Sequence, residues 1–130
     1  MSSLEKVKNL INNRFSDGRN KMPASINPNM DEFPMNGITL YYQDETLDNN
    51  ILALGKKTQI GLYSQGIQIA VWHDQYEKSR DVAFQVLEYI NANFPTGIVL
   101  IPLGSPTYAG INQARGQHVY TIIYDMKGDK

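Results

Sequence analysis

Gly66-Ile67-Gln68-Ile69-Ala70-Val71-Trp72-His73, followed by Asp74-Gln75-Tyr76 and a helical run as far as Phe94, decides how the rest of the chain is read. In the first eight residues Ile67, Ile69, Val71 and His73 share one face and Gln68, Ala70 and Trp72 the other, which is the period of a strand. Past His73 the period changes. Tyr76, Ser79, Ala83, Val86, Leu87, Ile90 and Phe94 form one stripe at helical spacing, with Asp74 placed to cap the start and Pro95-Thr96-Gly97 to end it. The Ala83, Val86, Leu87 and Ile90 part of that stripe is expected to lie on the sheet. Trp72 on the second strand face predicts partial cover on both sides, and Val82, Phe84 and Tyr89 make the helix's apolar surface wider than one sheet contact needs.

Upstream, Thr58 to Tyr63 reads as a further strand, joined to Gly66–His73 through Ser64-Gln65-Gly66 as a tight hairpin. Gly37 to Tyr42 is another strand, with Ile38, Leu40 and Tyr42 on one face. Leu4, Val7, Leu10, Ile11 and Phe15 predict an amphipathic helix over 3–16, opened by a Ser2/Glu5 capping box and closed at Ser16-Asp17-Gly18. Between them, residues 17–36 carry Gly18, Pro23, Pro28 and Pro34 and read as a long connection, mobile or draped over the surface.

Downstream, Ile98 to Leu103 is a short apolar strand that Pro102 assigns to an edge or terminal position. Gly104 to Gln117 reads as a polar loop, and His118 to Met126 as a closing strand alternating Tyr120, Ile122, Tyr124 and Met126 against Val119, Thr121 and Ile123. Residues 127–130 are expected to fray. Consecutive strands with one well-formed helix among them predict a single α+β domain over 1–130: a small mixed, mainly antiparallel sheet, with the N-terminal helix and the long helix packed on one face.

Composition narrows function more by exclusion than by assignment. The chain has 130 residues, no cysteine, and a formal net charge of -1 from 12 Lys plus Arg against 13 Asp plus Glu. Disulfides, thiolate metal sites and thiol nucleophiles are excluded, and there is no basic field to gather nucleic acid or an anionic membrane. No apolar stretch approaches the roughly 20 residues of a membrane helix, and the expected setting is a cytoplasm. Gly55-Lys56-Lys57-Thr58 resembles the end of a phosphate-binding loop, but Asn50 stands where the required glycine belongs. Asp44, Glu45 and Asp48 form an acidic loop without the spacing of a calcium site. His73 and His118 each end a strand outside any zinc-type cluster, and His73 and Asp74, as neighbours in a strand, are expected to point to opposite faces. No catalytic, cofactor-binding or metal-binding residue is assigned. The expected role is contact rather than catalysis, and no sequence-specific nucleic acid is expected as a partner.

The second half of the chain carries a family resemblance. Residues 66–83, from the Gly66 strand through Tyr76, Ser79 and Ala83, resemble the strand, polar link and "Y-x-x-[AS]-x-x-x-A" helix of tail-terminator and minor-capsid proteins of long-tailed bacteriophages. Ser105-Pro106-Thr107-Tyr108-Ala109-Gly110 and Arg115-Gly116-Gln117-His118-Val119-Tyr120 resemble their "P-x-Y-x-G" loop and the "G-x-x-x-Y" that leads into the last strand. The resemblance implies a virion protein, assembled in the host cytoplasm, that forms a ring, often six-fold, at the head-proximal end of the tail. It implies as partners further copies of itself, the tail-tube protein and a head-completion or connector protein. His73-Asp74 departs from the family, in which a basic residue often follows the strand. Candidate assembly contacts, read from exposed or surplus apolar groups, are Trp72, Phe84, Tyr89, Tyr108 and Ile111, with Arg115 offering a fork to a partner carboxylate. Tyr108 and Ile111 have an alternative, to tuck over the edge of their own sheet. The competing functions are a small bacterial ligand-binding or regulatory α+β domain, with a pocket around Trp72 and neighbouring tyrosines, and a hydrolase using carboxylates near His73.

Overall fold

The structure, a computed structural model, describes residues 2–18, 21–43 and 63–128. Helix α1 (Ser3–Phe15) opens with the capping box the sequence predicts: the Glu5 backbone N–H donates to Ser2 Oγ, and the Glu5 carboxylate accepts from the Ser2 backbone N–H. Leu4, Val7, Ile11 and Phe15 are its buried stripe. Short strand β1 (Ala24–Ile26) follows, then β2 (Gly37–Tyr42), β3 (Tyr63–His73), helix α2 (Tyr76–Ala92), β4 (Ile98–Pro102), β5 (Thr107–Asn112) and β6 (Gln117–Gly128). The described residues thus form two helices and a six-stranded, mostly antiparallel open sheet, a small α+β fold.

Across the sheet the strands run β1-β2-β3-β6-β4, with only the β1–β2 pair parallel, and β5 also pairs with β6. β6 is the spine. One of its edges pairs with β3 from His118 to Gly128, while the other is shared end to end, β5 taking Gln117–Thr121 and β4 taking Tyr124–Gly128. The register stacks Ile38, Val71 and Tyr120 in one row and Leu40, Ile69 and Ile122 in the next. These join the buried stripes of α1 and α2 in one apolar core. Ser79 fastens α2 to the sheet by donating its hydroxyl to the Val71 carbonyl at 3.0 Å. Tyr124 lies wholly inside, and burial pushes its phenol above the usual tyrosine range.

Several expectations need correction. There is no turn at Ser64-Gln65-Gly66: residues 63–73 are one strand, because β6 is long enough to pair with all of it. The other half of the expected hairpin, 58–62, lies outside the described residues, as do the acidic loop and the Gly55–Thr58 turn. Asp74 does not cap α2. The N-cap is Gln75, with no side-chain hydrogen bond. On α2, Ser79, Ala83, Val86 and Ile90 are buried and Leu87, half-buried, packs against the core, whereas Tyr76 and, beyond the helix end, Phe94 are exposed. The expected loop from Gly104 to Gln117 contains strand β5 and a tight turn, with a bulge between Tyr108 and Gly110 that suits the positive φ of Gly110. Lys127 and Gly128, expected to fray, end β6 in pairing with β3 and β4.

The described residues of the 17–36 connection are also more ordered than its prolines suggest. The Asn12 side-chain amide accepts from the Ala24 N–H at 2.8 Å and donates to the Ala24 carbonyl at 3.2 Å, so it pairs with β1 as a neighbouring strand would. Farther on, Arg115 donates to the Met30 and Phe33 carbonyls and Gln117 to the Met35 carbonyl. The connection is pinned to the β5–β6 turn at three points. Gly37, where this segment enters β2, must lack a side chain, since a Cβ there would run into the Phe33 ring.

Candidate functional site

Both helices pack against one face of the sheet, where the core lies, and among the described residues no helix covers the other. That open face carries Tyr41 from β2, Gln68, Ala70 and Trp72 from β3, and Val119 and Thr121 from β6. With Ala109 to Asn112 of β5 as a wall they line a shallow depression of about 320 Å³. Trp72 is fixed there by its indole N–H, which donates to Thr39 Oγ1 at 2.9 Å. Of the candidate contacts, Trp72 and Ile111 both border it.

The register sets Ile111 opposite His118 and Tyr108 opposite Tyr120, so both share one side of β5, and there Tyr108 meets the core face. Its ring packs edge-on against Tyr76 at 5.0 Å and near Tyr120 at 5.4 Å, and its hydroxyl meets His118 Nδ1 at 2.9 Å. The Tyr76 and Tyr120 hydroxyls are 2.6 Å apart, a hydrogen bond that raises the Tyr120 phenol above its ordinary range. Tyr108 is thus largely a member of its own chain's aromatic cluster, while Ile111 stays 46 % exposed. Phe84 and Tyr89 belong to the helix layer: Arg80 sits over the Phe84 ring, and Tyr89 packs edge-on against Phe15. Arg115 is not held out to a partner, since both terminal nitrogens are engaged by backbone carbonyls.

Sequence reading found only the Tyr108 and Ile111 part of the margin formed by β4 and β5. From Tyr89 to Ala114 no residue is charged. Of the exposed large apolar side chains among the described residues, Met35, Tyr42 and Tyr76 lie elsewhere, while Phe94, Val99, Ile101, Leu103, Tyr108 and Ile111 all fall in this stretch. The signal was there to be read as a long gap between charges, but Val99 and Ile101 look like core in a nearly continuous apolar run.

His73 also departs from expectation. Its Nδ1 lies 2.8 Å from Asp74 Oδ1 and 3.0 Å from the Gln75 N–H, because the strand ends at His73 and the pleat no longer governs Asp74. Burial lowers the His73 pKa, against the pull of Asp74. Around it Arg14, Asp17, Lys78, Asp81 and Gln85 line a polar cleft of about 280 Å³ with charges of both signs. Among the described residues no three His, Asp or Glu side chains converge as metal ligands would, and no helix is long and apolar enough to cross a membrane. No family model and no curated protein matches the chain.

Proposed function

We propose that this chain is a structural subunit of a long-tailed bacteriophage virion, of the minor-capsid or tail-terminator kind, that forms a ring at the head-proximal end of the tail and helps join tail to head. The observation that carries the reading is the uncharged stretch from Tyr89 to Ala114, in which Phe94, Val99, Ile101, Leu103 and Ile111 are exposed and Tyr108 partly so. Apolar groups gathered on one margin, instead of scattered singly, mark a contact surface. The open sheet face beside them, with Trp72 held rigidly, adds area of the same character. The strand, helix and loop patterns shared with tail-terminator proteins supply the virion, the tail-tube protein and the head connector as partners. Electron microscopy of particles made without this protein tests the reading: free heads beside unjoined or overlong tails are expected, and normally joined virions would overturn it.

The depression around Tyr41, Trp72 and Ile111 favours a second reading, a ligand-binding domain for a small apolar molecule. A thermal shift with small apolar ligands that disappears in Trp72→Ala would favour it over the first.

A further inference from the structure

The two margins of the sheet are finished differently. At β1 the outward peptide groups of Ala24 are answered by the Asn12 side chain, so that edge is closed to an added strand. At β4 the described residues provide no neighbour beyond β6. Leu103 donates its N–H inward to the Ile123 carbonyl at 2.9 Å. Alternation along the strand then turns the peptide groups of Ile101 and Val99 inward as well, and those of Leu100 outward. Pro102 has no N–H to offer. The Ile98 N–H is taken by the Pro95 carbonyl at 3.2 Å. Leu100 is therefore the one residue of β4 that presents both a donor and an acceptor at the open edge.

We propose that a second copy of this chain docks at this edge, its β4 antiparallel to the first about a two-fold axis through Leu100. In that register the two Leu100 residues exchange N–H···O=C bonds, and the position opposite Pro102 is Ile98, whose own donor is already used. Val99 of each copy falls opposite Ile101 of the other, pairing β-branched side chains that are 49 % and 40 % exposed in the single subunit. Self-pairing sets like beside like, which an uncharged edge tolerates. β4 also lacks the lysine that commonly blunts exposed edges. A partner strand that relied on charge would find none here to answer it.

Such a contact is self-complementary and closes on itself. It cannot propagate round a ring, and β1, closed at Ala24 by the Asn12 side chain, offers β4 no edge for head-to-tail pairing. The two-fold contact takes Val99 and Ile101 from the margin that supports the ring reading and leaves Phe94, Leu103 and Ile111 to a ring contact, so either reading can fail alone.

Sedimentation of the full chain over a range of concentrations tests it. The wild type is expected to show a reversible monomer–dimer equilibrium, and Val99→Lys to raise the dimer dissociation constant at least about tenfold with an unchanged melting temperature. The register is tested separately. Because the chain has no cysteine, Val99→Cys and Ile101→Cys each carry a single thiol, and their mixture should form disulfide-linked dimers under mild oxidation. Residues 99 and 101 would face each other as a non-hydrogen-bonded pair, close enough for that bond. Either variant alone should cross-link poorly. A wild type that stays monomeric at every concentration would overturn the proposal, as would Val99→Lys dimerising like wild type. So would single variants that cross-link as well as the mixture, and this last arm decides the matter if Val99→Lys does not fold.

Discussion

His73 Nδ1 cannot serve both of its neighbours in one protonation state. With Nδ1 unprotonated it accepts from the Gln75 N–H at 3.0 Å, and only with a proton on Nδ1, in the cation or the Nδ1–H tautomer, does it donate to Asp74 Oδ1 at 2.8 Å. Burial favours the neutral form, with Lys78 in support and Asp74 opposed, while Arg14, Asp17 and Asp81 line the same cleft and His118 is the cross-strand neighbour. With the folded pKa held below the ordinary 6.5, the unfolded chain takes up the proton first as pH falls. Stability is then complete above that ordinary value and declines as pH drops through it. Thermal melting from neutral to mildly acid pH should show the decline, and His73→Gln should flatten it; an unchanged slope would show that His73 does not contribute. The sequence located this histidine at a strand end but placed Asp74 on the opposite face, since strand alternation was carried one residue too far.

Between the elements, the most informative link is the Arg115 guanidinium, which ties the β5–β6 turn to the Met30 and Phe33 carbonyls. Hydrogen bonds from a charged donor contribute more than neutral ones, so Arg115→Ala should cost about 1.5–3 kcal/mol in denaturant unfolding. Arg115→Lys should restore little, because a point charge does not reproduce the planar fork. On α2, Ile90→Ala should cost roughly 2–5 kcal/mol, and Leu87→Ala clearly less, since Ile90 is fully buried and Leu87 is not. Equal losses would mean that the helix is rotated from the orientation described. Both helices were legible because their apolar residues keep a helical period over several turns. β1 and β5 were not. β1 has three residues and depends on an amide from α1, and β5 is exposed on both faces and broken by a bulge, so neither shows the alternation from which strands are recognised.

For the whole molecule, the α+β class and helices on one face followed from element order alone, but which margin stays open did not, because it depends on how β6 divides its edge between β4 and β5. The distinction separates the two residues once paired as docking candidates. Tyr108→Ser removes a ring that Tyr76, Tyr120 and His118 all touch and should lower the melting temperature. Ile111→Ser should leave melting nearly unchanged and impair assembly into tails; a melting loss equal to that of Tyr108→Ser would assign Ile111 to its own domain instead. The place of β6 in the chain has one more effect. It leaves the ribosome after every other element described, yet β3, β4 and β5 all find their partner in it. A nascent chain that has not reached Gln117 therefore holds β3 paired only on its β2 side and β4 and β5 without their partner, and the apolar run from Ile98 to Leu103 waits in the open while the last stretch is translated. Synthesis itself, more than the finished protein, is the interval in which these strand edges stand unpaired.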